Sequence, residues 1–79
     1  MKTTLNCLRE GESARITALR MQGALRRRLL DFGLIEGTQV RCLRISPAGS
    51  PMLYRVRGTL LALRTADGGR IRVEADEGV

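Results

Sequence analysis

The 79-residue chain has no histidine and no tryptophan, and its only aromatic side chains are Phe32 and Tyr54. Without histidine the commonest general base and metal ligand is missing. Ser13, Ser46 and Ser50 therefore lack the partner that ordinarily activates a serine nucleophile. Cys7 and Cys42 are not arranged as a CxxC pair, which argues against a tetrahedral zinc site. They are expected as reduced thiols, since nothing in the sequence demands a disulfide. The carboxylates are scattered singly except for Asp76-Glu77, so no paired acid and base stand out. Asp31, Glu36 and the acidic tail are left as weak, adventitious cation contacts at most. No GxxxxGK[ST] run is present to cradle a nucleotide phosphate. No enzyme, cofactor or dedicated metal site is expected.

Long apolar runs are missing too. Nothing approaches the roughly 20 apolar residues that span a bilayer, and Met1-Lys2-Thr3 leads into no signal-peptide core. The expectation is a cytoplasmic protein without direct membrane insertion, forming one small domain over residues 1–79. At this size only about 60–65% of the unfolded surface can be buried, so a single modest core is available.

What the chain has is positive charge. Fourteen Lys and Arg stand against eight Asp and Glu, giving +6 and a pI near 11.0. Thirteen of the fourteen cations are arginine. A basic excess on a small body attracts nucleic acid, anionic lipid or an acidic protein surface. Two aromatics are too few for the base-stacking platforms of a single-strand binder, so nucleic acid is not favoured.

The organising stretch is Arg26 to Thr38, RRRLLDFGLIEGT. Leu25, Leu29 and Phe32 recur at helical spacing, with Met21 one turn earlier, and stripe one side of a helix. The spacing predicts a helix over Arg20 to Phe32, with Gly23 as a weak point from which the helix can instead start. Arg26 and Arg27 fall on the opposite side. Leu30 lies about 100° from the stripe. Gly33 is placed as a C-cap, and Glu36-Gly37 as a tight turn into a strand.

The remainder reads as β-structure. Leu5 and Leu8 pin an extended or single-turn lead-in. Ala14 to Leu19 begins with period-2 alternation that breaks near Thr17-Ala18, which predicts a bulge. Thr38 to Ser46 is a second strand in which Leu43 and Ile45 fall out of phase with Val40 and Cys42. Pro47-Ala48-Gly49-Ser50-Pro51 is a turn, Met52 to Arg57 a third strand, and Gly58 a sharp bend. Leu61 to Arg64 is a fourth strand, Asp67-Gly68-Gly69 a hairpin turn, and Arg70 to Val73 a fifth. Glu74 to Val79 is expected to fray. About five short strands and one helix inserted after the first indicate a mainly β fold, a small closed or nearly closed barrel.

The ordered set RRRLLDFGLIEGTQV, the Pro47–Pro51 loop, Val56-Arg57-Gly58, Leu61-Ala62-Leu63-Arg64 and Ile71-Arg72-Val73 resembles the bacterial ferrous iron transport protein A (FeoA) family. The resemblance runs from about Leu5 to Val73. It implies an SH3-like barrel that serves ferrous iron uptake by contact with FeoB, the membrane transporter with a cytosolic GTP-binding domain. Arg26, Arg27, Leu29, Leu30, Met52 and Leu53 are the expected contributors to that contact, Leu29 indirectly from the core. Gly33, Gly37, Gly58 and Phe32 are the expected structural positions. The family's Pro-x-Gly-Asp-Pro loop carries Ser50 here in place of aspartate, so the turn lacks a carboxylate for cation contact. Rival readings are a basic nucleic-acid-binding barrel and a transition-metal-binding regulatory domain like that of diphtheria-toxin-repressor-type proteins. Weak self-association stays open.

Overall fold

A computed structural model describes residues 1–76 of the chain. Six strands form one antiparallel sheet: β1 (Lys2–Thr4), β2 (Ser13–Leu19), β3 (Gln39–Ile45), β4 (Met52–Val56), β5 (Thr59–Leu63) and β6 (Ile71–Ala75). Their order is β1-β6-β2-β3-β4-β5. Helix α1 (Ala24–Phe32) joins β2 to β3, and a one-turn helix α2 (Thr65–Gly68) joins β5 to β6. The fold is mainly β.

Alternation explains the core. Ala14 and Ile16 of β2, Val40 and Cys42 of β3, Met52, Tyr54 and Val56 of β4, and Ile71 and Val73 of β6 all face inward and are buried. The register shifts between Ile16 and Ala18, where β2 pairs with β6, so the bulge lies where the alternation breaks. A second shift between Cys42 and Arg44 absorbs the phase slip at Leu43 and returns Ile45 opposite Met52. Leu5 and Leu8 are buried at the base of the same cluster.

Several boundaries differ from the sequence expectation. Residues 2–4 are a sixth strand, paired with Arg72–Glu74 of β6. They carry no apolar alternation because the neighbouring strand supplies their order. The helix does not start at Arg20. Gly23 takes φ 82 and ends the extended lead-in, so Met21 is buried from the connection ahead of α1. Asp67-Gly68-Gly69 is not a hairpin turn: Gly69 has φ −67, and the segment completes α2. Gly68 instead permits close approach, because a Cβ there would lie 3.3 Å from Asn6.

Residues 74–76 are not frayed. Ala75 N–H donates to the Met1 carbonyl and Asp76 N–H to that of Ser13. The rest of that expectation, residues 77–79, lies outside the described residues. No ladder joins β1 to β5 among the described residues. The barrel closes there through the 3-10 turn Leu5–Cys7, which packs on α2. Ser50 has a structural use: its hydroxyl accepts from the Thr65 N–H at 3.1 Å and so caps α2.

One pairing carries a measurable cost. Arg41 on β3 stands directly opposite Arg55 on β4, and both are exposed. Like charges across a ladder destabilise by roughly 0.2–1 kcal/mol. Arg55→Glu turns repulsion into attraction, and each kcal/mol gained raises Tm by about 4–8 °C in a domain of this size. The gain is expected in low salt and should shrink in molar salt. A thermal melt at both ionic strengths checks it.

Candidate functional site

Helix α1 ends by a defined mechanism. Gly33 takes φ 105, its N–H donates to the Leu30 carbonyl, and the Leu34 N–H reaches back to that of Leu29 at 2.9 Å. These are the two bonds of a Schellman cap, with Leu34 and Leu29 supplying its apolar contact, both buried. A Cβ on Gly33 would lie 3.1 Å from Cδ of Arg57, so the β4–β5 hairpin tip rests against the end of the helix. The cap thus fixes the helix axis relative to the sheet.

At its other end α1 has no acidic residue in the first turn and no side-chain cap. Its first turns carry Arg26 and Arg27, both exposed. They border a hollow of about 560 Å³ whose apolar walls are Leu19, Met21 and Leu30. Leu30 is half-buried, with part of its side chain open to solvent. The hollow is an electropositive rim around an apolar floor. Its lining holds no activated nucleophile and no paired acid and base.

Only three of the six expected contact residues meet in that hollow: Arg26, Arg27 and Leu30. Leu29 lies beneath, 3% exposed, in the core cluster. Leu53 is half-buried on β4 and does not line the hollow. Met52 is a correction: it is 2% exposed, and its sulfur lies 3.4 Å from the Tyr54 hydroxyl. It is an inward residue of β4, packed in the core and not displayed on the surface. Sequence reasoning missed Leu19 and Met21 as walls, since only the fold brings the end of β2 and its connection beside the exposed face of the first turns of α1. Of the expected structural positions, Phe32 packs half-buried against the core. The Gly37 N–H bonds to the Ile16 carbonyl, and Gly58 with Arg57 forms the β4–β5 turn.

Among the described residues no group of three His, Cys, Asp or Glu side chains could hold a metal ion. Cys7 and Cys42 are both free thiols. The exposed Cys7 thiol is held below the usual range by hydrogen bonds from Thr4 and Thr3. Burial, with Glu10 adding to it, raises that of Cys42. A second basic hollow, on the outer face of β3 and β4, gathers Arg41, Arg55 and Arg57.

Tyr54 titrates against the fold. Its ring is fully buried, its hydroxyl donates to the Leu5 carbonyl at 3.3 Å, and burial pushes its pKa well above the normal value. A raised folded-state pKa means stability is intact below the unfolded-state value near 10 and is lost as pH climbs past it. Buried Cys42 acts in the same direction from lower pH. Tyr54→Phe is expected to weaken the fold at pH 7 but to flatten its loss above about pH 10, by up to about 1.4 kcal/mol per pH unit. Urea titrations across alkaline pH check this. An unchanged slope would contradict it.

No helix among the described residues is long and apolar enough to cross a membrane. A family model described as FeoA domain matches residues 3–75. The chain is 30% identical over 70 residues to the Fe(2+) transport protein A/Fe(2+) transporter FeoB fusion protein of Porphyromonas gingivalis, covering 89% of this chain. It spans only 8% of that protein's length. The solution structure of FeoA from Chlorobium tepidum superimposes with TM-score 0.89 at 35% identity, over 96% of this chain and 75% of that one. The zinc-complexed FeoA of Stenotrophomonas maltophilia, a prokaryotic SH3 domain protein, gives TM-score 0.81 at 32% identity, over 91% and 89%. The sheet is therefore SH3-like, and with its glycine-capped helix and the match over residues 3–75 the chain belongs to the FeoA domain family.

Proposed function

We propose that the chain is an accessory protein of ferrous iron uptake that works by contact with the cytosolic part of a FeoB-type membrane transporter, biasing its GTPase cycle or its assembly. The observation that carries this is the fusion: a similar domain occupies one polypeptide with an iron transporter in Porphyromonas gingivalis. Covalent fusion places two modules at high effective concentration, which serves proteins that otherwise associate. The hollow beside α1 supplies a contact surface, with Leu30 as apolar anchor and Arg26 and Arg27 as rim. The basic rim and the positive end of the helix favour a partner surface rich in carboxylates. The protein then acts at the inner face of the membrane, recruited by its partner.

Co-purification tests the reading. An affinity-tagged chain, expressed with the FeoB-type transporter of the same genome, is expected to retain the transporter from detergent-solubilised membranes. Absence of the transporter from the eluate, with the chain folded and before or after cross-linking, would overturn it.

A further inference from the structure

β5 ends the sheet on one side, and no further strand pairs with its outer edge among the described residues. Its sequence, TLLAL, holds no charge and no proline, and its register with β4 is unbroken. Soluble proteins normally blunt such an edge with charge, proline, a bulge or a covering element. The β4–β5 turn has φ 53 at Arg57 and φ 81 at Gly58, so Val56 and Thr59 are the bonded pair that closes a two-residue hairpin. Bonded pairs alternate along an antiparallel ladder. The N–H and C=O groups of Leu60 and Ala62 therefore point away from β4, and they make no bond among the described residues. Leu60 is 54% exposed.

Beside this edge runs the other flank of α1. Between them is a groove of about 250 Å³, with Leu25, Phe32 and Leu61 among its apolar walls and Arg28, Arg64 and Asp67 at its rim. A groove between an edge strand and a helix is the geometry in which an extended segment adds as a further strand. Main-chain bonds then supply affinity, and alternate side chains supply specificity.

We propose that β5 is a strand-addition edge for an extended, acidic segment of a partner protein. The segment bonds to the Leu60 and Ala62 backbone, sets apolar side chains between α1 and β5, and lays carboxylates near Arg28 and Arg64. Charge selects this occupant over a second copy. Pairing two β5 strands about Leu61 would bring Arg57 and Arg64 of one chain towards Arg64 and Arg57 of the other, so like charges oppose it. The inference goes beyond the transporter reading, because it concerns a different surface from the Leu30 hollow.

The test titrates the isotope-labelled full chain with a capped heptapeptide, Asp-Val-Thr-Val-Thr-Val-Glu. Saturable amide shifts and slowed exchange are expected at Leu60 and Ala62. A peptide N-methylated at alternate amides should bind about tenfold more weakly, since it keeps its side chains but loses edge bonds. Ala62→Pro removes an N–H that bonds nothing in the chain, so it should leave the spectrum of the core unchanged while weakening binding similarly. Replacing the peptide's two acids by lysine should also weaken it. Equal binding by the N-methylated or the lysine peptide, shifts centred on Leu30, or no saturable shift would overturn the proposal. So would a dimer of the free chain that Ala62→Pro abolishes, which would make a second copy the occupant.

Discussion

Leu34→Ala is expected to cost about 3–4 kcal/mol, a large loss of stability for a single truncation in a chain of this size. Leu34 is fully buried, and it is the residue whose N–H and side chain both complete the cap of α1. Alanine keeps the backbone bond, so the loss comes from the removed methine and two methyl groups and the void they leave among Leu29 and the core strands. A domain of this length has roughly 4–12 kcal/mol in all, at about 0.05–0.15 kcal/mol per residue. Tm should fall by about 12–32 °C. Ile35→Ala, one residue on at a side chain 48% exposed, should change stability by no more than about 0.5 kcal/mol. Urea denaturation of the two variants separates a specific apolar clamp from general chain hydrophobicity. A loss below about 1 kcal/mol at Leu34 would mean that the cap does not anchor the helix.

The cap was also the most legible feature in the sequence, for a local reason. Leu25, Leu29 and Phe32 mark the helix face, and Gly33 with Leu34 marks its end, all within ten residues of chain. The bulge of β2 was visible in the same way, as a break in alternation at Thr17-Ala18. The out-of-phase Leu43 and Ile45 indicated only a kink or a strand covered on both faces, and the structure resolves them into a second register shift. What escaped was set by distant residues. Lys2-Thr3-Thr4 forms a strand because β6 lies beside it, and no pattern within those residues says so. Asp67-Gly68-Gly69 has the composition of a hairpin turn, but Gly68 must pass close to Asn6, and one turn of helix satisfies both demands. Met52 was expected as a contact residue beside the Pro47–Pro51 loop, whereas the register of β3 and β4 turns it inward opposite Ile45. The proposed contact surface was half legible. Arg26, Arg27 and Leu30 follow from helical spacing, while Leu19 and Met21 enter only through the path of β2. The bare edge at β5 left a trace in Leu60-Leu61, since two adjacent leucines in one strand cannot both face the core.

Leu30→Ala is the second large effect, this time on binding. A half-buried leucine bordered by Arg26 and Arg27 has the setting of an apolar anchor in a charged rim. Truncating such an anchor typically costs about 2 kcal/mol, which is roughly 30-fold in affinity. Because Leu30 is off the core stripe, the fold should lose much less than it would with Leu29→Ala, where 2–5 kcal/mol of packing is at stake. Arg26→Glu should act differently. It is expected to slow association and to remove part of the salt dependence, with a smaller change in dissociation. Biolayer interferometry against the full-length transporter gives both rates. If Leu30→Ala binds as tightly as the parent chain while remaining folded, the hollow beside α1 is not the contact surface.

The most direct measurement is a titration of the unmodified chain onto the full-length FeoB-type transporter of the same genome, held in nanodiscs. The expected result is saturable binding that weakens as salt is raised. Absence of saturable binding by a folded chain, in low salt and with or without guanine nucleotide, would contradict a role exercised through contact with the transporter.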